Sequence, residues 1–384
     1  IVNYSCRVAM IAVGLVVFLA VVVCAASAAT PPAVPMVFAE GDSYTIGSTI
    51  GAAFKTQILT ALRNDTFYNT IMLPYYRTPK GAALYESMFA NAKSSFPQYV
   101  DELQGMADAI GITLEELVLW NFRFDWELLF WNDTLPTPAC SDVYLNLQGS
   151  TSLMAHNEDN DPYLMDLGYF VHARVTGASG AAVEEFTHYC YPGILCGDAY
   201  GFNSNGVVMT QNALFPSDVN LETWAIPRNF LSRAIAGQTL DGILAILNHF
   251  PCTSGFSLNV GRLSDMTVLN VEVSPDGIWT TPINGYDYHF NMYLHHNFSE
   301  YADIGSIHHL ERIKQLPVPT CSKDILGILG DTADPQYPIF RNGAPPDNTV
   351  TLGTVLYDLN QKMMYVFRGN PSQNDPMMAF SLTI

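Results

Sequence analysis

From about residue 41 to residue 131, apolar residues return every three or four positions. The stretches TIGSTIGAAFKTQILTALR, LYESMFANAKSSFPQYVDELQGMADAI and TLEELVLWNFRFDWELLFW carry this period, which gathers apolar side chains on one face of a helix. The third stretch opens on Thr113 and Glu116, spaced as a capping box that satisfies the first free N–H groups of a helix. A Pro-containing stretch, NDTLPTPA, closes the helical region. Beyond Cys140 the period falls to two. SDVYLNL, TSLMAHN, YFVHARV, EEFTHYCYP and GVVMTQNAL are rich in β-branched and aromatic residues, with Gly and Asn between them, and predict strands. A helix is predicted at PRNFLSRAIAGQTLDGILAILNHF, strands at GFSLNVGRL and MTVLNVEVS, a helix at GSIHHLERIKQL, and a strand pair within TVLYDLNQKMMYVFRG. There is no internal repeat. Helices first, then antiparallel strands interspersed with helices, predict an α+β layered fold.

The N-terminal end has a different pattern. Arg7 precedes VAMIAVGLVVFLAVVVCAASAAT, an apolar run that passes into small residues at Ala26, Ser27 and Ala28. Residues 1–29 read as a secretory signal peptide, with an uncleaved anchor as the alternative because the run approaches the length of a bilayer span. Either reading sends the rest of the chain into the secretory pathway, to be secreted, lysosomal or membrane-anchored. Sequons at Asn64, Asn132 and Asn297 are then candidate glycan acceptors. The 384 residues are 49% hydrophobic, enough to bury a large core. With 17 Lys+Arg against 36 Asp+Glu the net charge is −19, which argues against nucleic acid and anionic membrane surfaces as partners.

Seven cysteines are present, with Cys6 and Cys24 in the leader. Cys190, Cys196, Cys252 and Cys321 form an even set that pairs in any of three ways in an oxidising compartment. Cys140 is left as the odd thiol. The sequence holds no His-Glu-x-x-His, no Cys-x-x-Cys, no Gly-rich phosphate loop and no Gly-x-Ser-x-Gly. The pairs His295/His296 and His308/His309 put neighbouring side chains in different directions, so they make poor paired ligands. No metal and no external cofactor are expected. A thiol needs a base to become a nucleophile. Cutting the Ala139–Cys140 bond would create one, because a new α-amino group has a pKa of about 7.7–8.0 and takes the thiol proton near neutral pH. The Pro-containing loop tolerates such a cut.

Several blocks in order resemble the acyl-coenzyme A:6-aminopenicillanic acid acyltransferase family, a family of cysteine N-terminal-nucleophile hydrolases. GDSYTIGSTIGAAFKTQI resembles its opening helix, FPQYVDELQGMADAIGITLEELVLWNFRFDW its second helical segment, and ACSDVYLNLQGSTSLMAHNEDND its nucleophile block. YFVHARV, GFNSNGVVMTQNAL and PRNFLSRAI are similar to its β-alanyl-dopamine/carcinine hydrolase branch, and the likeness runs from about residue 40 to 316. The resemblance implies a four-layer αββα fold, with a helical pro-segment over residues 30–139 that becomes an α-chain and a β-chain over residues 140–384 that stays associated with it. It implies that Cys140 is the nucleophile, freed by self-cleavage after Ala139, where the family usually has Gly. Asp159 then holds the new amine, Asn157 stands at the matching Asn position, and Asn212 and Asn259 are oxyanion donors. His309 occupies the first of two arginine positions and Arg312 keeps the second, so His309 and Arg312 are candidate substrate contacts. The implied activity is hydrolysis of linear amides of small β-alanyl-like N-acyl amines. The alternatives are an acyltransferase using a thioester donor and an inactive glycosylated ectodomain.

Overall fold

The computed structural model describes residues 33–131, 139–147, 150–219, 221 and 224–382. The leader, the linker preceding Ala139 and the sequon at Asn132 lie outside the described residues. The strands are β1 (Met36–Gly41), β2 (Ala139–Leu147), β3 (Thr151–Asn160), β4 (Tyr169–Thr176), β5 (Ala182–Cys190), β6 (Tyr200–Asn203) and β7 (Val207–Leu214). They continue with β8 (Gly255–Arg262), β9 (Thr267–Ser274), β10 (Gly277–Pro282), β11 (Gly285–His289), β12 (Val350–Asp358), β13 (Met363–Phe367) and β14 (Met378–Ser381). One sheet has the order β1-β4-β5-β6-β7-β8-β9-β10, the other β11-β2-β3-β12-β13-β14. All pairings are antiparallel except β1 with β4.

The sheets stack face to face. Tyr357 on β12 donates its hydroxyl to the carbonyls of Gly201 (2.9 Å) and Met209 (3.2 Å) in the first sheet, and Thr210 on β7 donates to Asp142 on β2 at 2.6 Å. Helices cover both outer faces. On the second sheet, Val143, Leu145, Leu153 and Ala155 pack against Ile313, Ile325, Ile328 and Leu329 from helices Ile304–Ile313 and Ser322–Leu329. On the first, helices Ser43–Asn64 and Pro97–Ile110 lie against each other, and Ser43–Asn64 lies against β1 and β4. Their backbones approach so closely that a Cβ on Gly47 would sit 1.7 Å from the Glu102 carbonyl oxygen, and one on Gly105 2.0 Å from that of Tyr44. Only glycine permits that crossing. The result is the expected αββα layering.

Local chemistry sets the element ends. Asp42 accepts from the Thr45 N–H at 2.9 Å at the start of the first helix, and Thr113 accepts from Glu116 N–H at 3.1 Å as the capping box predicts. The single helix predicted over LYESMFANAKSSFPQYVDELQGMADAI is two, Pro79–Ser95 and Pro97–Ile110. Pro97 has no N–H to donate and pushes Phe96 out of helical geometry, to φ −136° and ψ 60°. The predicted helix at 227–250 likewise divides into Arg228–Ile235 and Leu240–His249, with Thr239 capping the second through Gly242 N–H at 3.1 Å. The predicted helical first part also begins with a strand, β1, which serves as the edge of the first sheet. Strands β10, β11 and β14 and helix Ser322–Leu329 are further elements that the pattern did not predict. Of the four cysteines in the even set, Cys190 and Cys196 form a disulfide, whereas Cys252 is buried and free and Cys321 exposed and free. Among the described residues there is no second bridge.

Candidate active site

The β2–β3 hairpin places the chemistry. Its register sets Cys140 opposite Glu158, Asp142 opposite His156, Ala139 opposite Asp159 and Ser141 opposite Asn157. Side chains alternate across a strand, so Cys140, Asp142, His156 and Glu158 share the face turned toward the first sheet. Ser141, Asn157 and Asp159 share the other. On the inner face Cys140 Sγ lies 3.8 Å from Glu158 Oε1, and Glu158 Oε2 lies 3.2 Å from His156 Nε2. His156 Nδ1 is 2.8 Å from Asp142 Oδ2. Tyr191 donates its hydroxyl to Glu158 Oε1 at 2.5 Å and receives Asn160 Nδ2 at 3.0 Å.

Burial dominates the electrostatics. It pushes the Cys140 thiol up to about 12, reinforced by the neighbouring Glu158 carboxylate and opposed by His156. Burial works against charge on His156, but Asp142 and Glu158 on either side outweigh it and hold the imidazole well above its ordinary value. The ring is thus a cation bridging two carboxylates beside a protonated thiol.

Amide side chains from the first sheet complete the inner face. Asn259 Nδ2 donates to Asn212 Oδ1 at 2.7 Å and to Thr210 Oγ1 at 3.2 Å, and Asn270 Nδ2 donates to Asn259 Oδ1 at 2.7 Å. Thr210 joins this ladder to Asp142. Asn212 Nδ2 is buried and makes no hydrogen bond among the described residues, a donor aimed at no protein acceptor. Asn291 spans the sheets: its Oδ1 accepts from the Cys140 N–H at 2.6 Å and its Nδ2 donates to the carbonyl of Ala213, the residue after Asn212. The backbone of the cysteine and the strand bearing the free amide are therefore one side chain apart.

The remaining predicted residues lie elsewhere. Asp159 accepts from Thr351 Oγ1 at 2.6 Å and lies 3.5 Å from Arg341 Nε, while burial raises its carboxyl to about 7 against the pull of Arg341. It sits across the ladder from Ala139, beside the bond expected to break, but on the face away from the thiol. Asn157 is bound to the backbone, donating to the Leu329 and Ile339 carbonyls and accepting from Thr354. His309 is buried between Ser141 Oγ (3.4 Å) and the Pro338 carbonyl (3.0 Å), and burial together with Arg341 holds it well below its ordinary pKa. Arg312 forms a bidentate pair with Asp331 at 2.9 and 2.7 Å near the surface. These partners leave Asn157, His309 and Arg312 on the outer face, so the structure does not bring the expected substrate contacts to the inner cluster. Asn64 and Asn297 are exposed.

Sequence reasoning missed His156, Glu158, Asp142, Tyr191, Asn270 and Asn291. For the β3 pair the signal was present in AHNEDN, where the residues alternate with Asn157 and Asp159. Choosing between the two faces required the register against Cys140. Asn291 follows a strand that the pattern did not predict, and no local signal marks it.

The chain is 27% identical over 374 residues to the Beta-alanyl-dopamine/carcinine hydrolase of Drosophila melanogaster, covering 90% of this chain and 95% of that one. Among solved structures, penicillin V acylase from Agrobacterium tumefaciens matches 59% of this chain and 82% of its own, with a TM-score of 0.36 and 10% identity, a likeness too distant to carry an argument. Residues 146–373, more than half of the chain, match the model of one family, and the chain belongs to it: the acyl-coenzyme A:6-aminopenicillanic acid acyl-transferase family.

Proposed function

We propose that this chain is a self-processing cysteine amidohydrolase that cleaves linear amides of small N-acyl amines, with β-alanyl amines as the substrate class. The observation that carries this reading is the buried Cys140. Its backbone N–H is held by Asn291, its sulfur lies beside Glu158, and the unpaired amide of Asn212 lies on the strand that Asn291 also grips. The relative named a β-alanyl-dopamine/carcinine hydrolase supports the substrate class.

In the uncut chain the thiol is protonated, and Glu158 is the nearest acceptor for its proton. Sulfur attacks the Ala139 carbonyl carbon, the C–N bond to Cys140 breaks and a thioester forms. Water then releases the Ala139 carboxylate and leaves Cys140 with a free α-amino group. Asp159, across the ladder from Ala139, orients that amine. In the mature enzyme the amine takes the thiol proton and the thiolate attacks the substrate amide. Asn212 Nδ2 donates to the developing oxyanion, with Asn259 holding the Asn212 side chain in place. The amine product leaves with the proton, and water hydrolyses the thioester to the acid and the free thiol. An amine in place of water would give acyl transfer, the reading the family description favours. Dependence of product formation on an acyl-thioester donor distinguishes it.

The exposed sequons at Asn64 and Asn297 and the Cys190–Cys196 disulfide support passage through the secretory pathway. Intact mass of the purified protein and of Cys140→Ala tests the central claim. Two fragments, the larger beginning at Cys140, are expected only in the unaltered protein. One uncut chain in both refutes self-processing. Release of amine from N-(β-alanyl) amides by the unaltered protein alone tests the activity.

A further inference from the structure

One trio of side chains near the nucleophile has the chemistry of a metal site as well as that of a catalytic cluster. Ligand atoms of Cys140, His156 and Glu158, all buried, lie within 4.8 Å of one another, and no other such trio of His, Cys, Asp and Glu occurs among the described residues. Within it Sγ is 3.8 Å from Glu158 Oε1, and His156 Nε2 is 3.2 Å from Glu158 Oε2. Zinc bonds to sulfur at about 2.3 Å and to nitrogen or oxygen at about 2.0–2.2 Å, which sets tetrahedral ligand atoms about 3.5 Å apart. The trio therefore needs side-chain shifts of only about 1 Å to close on an ion.

The surrounding contacts are those that orient metal ligands. Asp142 holds His156 Nδ1 at 2.8 Å and is itself held by Thr210 at 2.6 Å, which aims Nε2 at the cluster. Tyr191 holds Glu158 Oε1 at 2.5 Å. Tyr191 also lines a cleft with Trp120, Phe124 and Tyr163. Thiolate, imidazole and carboxylate together suit zinc, whereas calcium and magnesium take oxygen ligands. The ligands are split between two strands, so no Cys-x-x-Cys or His-Glu-x-x-His signal marks them.

We propose that Cys140, His156 and Glu158 form an inhibitory site for one zinc-class divalent cation. The thiol proton and the proton on His156 Nε2 pass to solvent as the ion enters. Three protein ligands leave a fourth position for water. A sulfur lone pair committed to the ion is not free to attack a carbonyl, so the cation is a reversible block on the nucleophile. The inference rests on the same thiol as the amidohydrolase reading, but its test needs no substrate.

The test uses the purified full chain, stripped of metal with a chelator. Titration with cobalt(II) chloride is expected to saturate at one equivalent and to produce a thiolate-to-cobalt charge-transfer band, which zinc chloride then abolishes by displacement. Cys140→Ser loses the band, and His156→Ala weakens zinc binding by at least about tenfold in competition with a chromophoric chelator. Near-ultraviolet circular dichroism checks that both variants are folded. A variant-free measurement runs in parallel: zinc slows iodoacetamide labelling of Cys140, read by peptide mass spectrometry, and leaves the exposed Cys321 unaffected. No cobalt band in the unaltered chain, an unchanged zinc affinity in folded His156→Ala, or labelling of Cys140 insensitive to zinc overturns the proposal. An inactive protein that still binds cobalt through Cys140 would refute the amidohydrolase reading and leave the metal site standing.

Discussion

Removing the unpaired amide of Asn212 separates its catalytic role from its structural one. The side chain is fully buried, its Oδ1 accepts one hydrogen bond from Asn259 Nδ2 at 2.7 Å, and its Nδ2 has no partner among the described residues. In Asn212→Ala the fold loses that one bond, a net cost of about 1 kcal/mol, and Asn259 Nδ2 keeps its contact to Thr210 at 3.2 Å. Asn212→Asp has nearly the same shape and keeps the acceptor for Asn259 but has no donor. If Nδ2 stabilises the oxyanion, each variant loses about 2.7–4 kcal/mol of transition-state stabilisation, about a hundredfold to a thousandfold in kcat. The assay is amine release from an N-(β-alanyl) anilide at saturating substrate, normalised to the cleaved fraction seen on a gel, with urea unfolding of the same samples. Normalisation matters because the proposed self-cleavage would pass through an oxyanion of its own and is expected to slow in parallel. Folded, cleaved Asn212→Ala with kcat within about tenfold of the unaltered enzyme would refute the assignment.

Three further outcomes follow from buried charge and close packing. Stability is expected to fall as pH rises from about 6.5 to 8. Burial raises Asp159 and Glu127 to about 7 and Glu300 to about 8, so above about pH 4 the folded state holds protons that the unfolded chain has lost, and stability falls as pH rises until those folded values are passed. His156, raised by its two carboxylates against the effect of burial, acts in the same direction: its contribution is complete below about pH 6.5 and is lost above. Burial lowers His188 to about 3 and holds His309 well down, so these two cost stability as pH falls below about 6.5. A thermal midpoint higher at pH 8 than at pH 6.5 contradicts this balance. Arg233→Met leaves Glu102 and Glu184, at 2.9 and 2.8 Å from the guanidinium, without their counter-charge, and is expected to cost about 3–5 kcal/mol in urea unfolding. Gly47→Ala drives a methyl to 1.7 Å from the Glu102 carbonyl oxygen and is expected to cost about 3 kcal/mol or more, read as a lowered urea midpoint at constant slope.

Much of this molecule was readable without its structure, and the legible part has a common physical origin. Helix and strand periods, the Thr113 cap and the turn residues are local properties, recoverable from neighbours in the chain. They yielded the helical first part, the strand-rich second part and an α+β layered fold, and the family resemblance implied the αββα class. The family blocks pointed to Cys140 as the nucleophile and Asn212 as a donor, and the structure places both on facing inner surfaces. Where local signals misled, the chain was longer than the element: Pro97 divides one predicted helix, and the 227–250 helix breaks before Thr239. What local pattern could not supply was parity and partnership. HNEDN reads equally well with either alternate set facing inward. Only pairing Cys140 with Glu158 and Asp142 with His156 chose His156 and Glu158, and turned Asn157 and Asp159 outward. Asn291 reaches the Cys140 N–H from 151 positions away, and Cys190 pairs with Cys196 while Cys252 and Cys321 stay apart. A strand's sequence determines that its side chains alternate; which alternate set meets the other sheet depends on register, and register is settled by contacts distant in the chain.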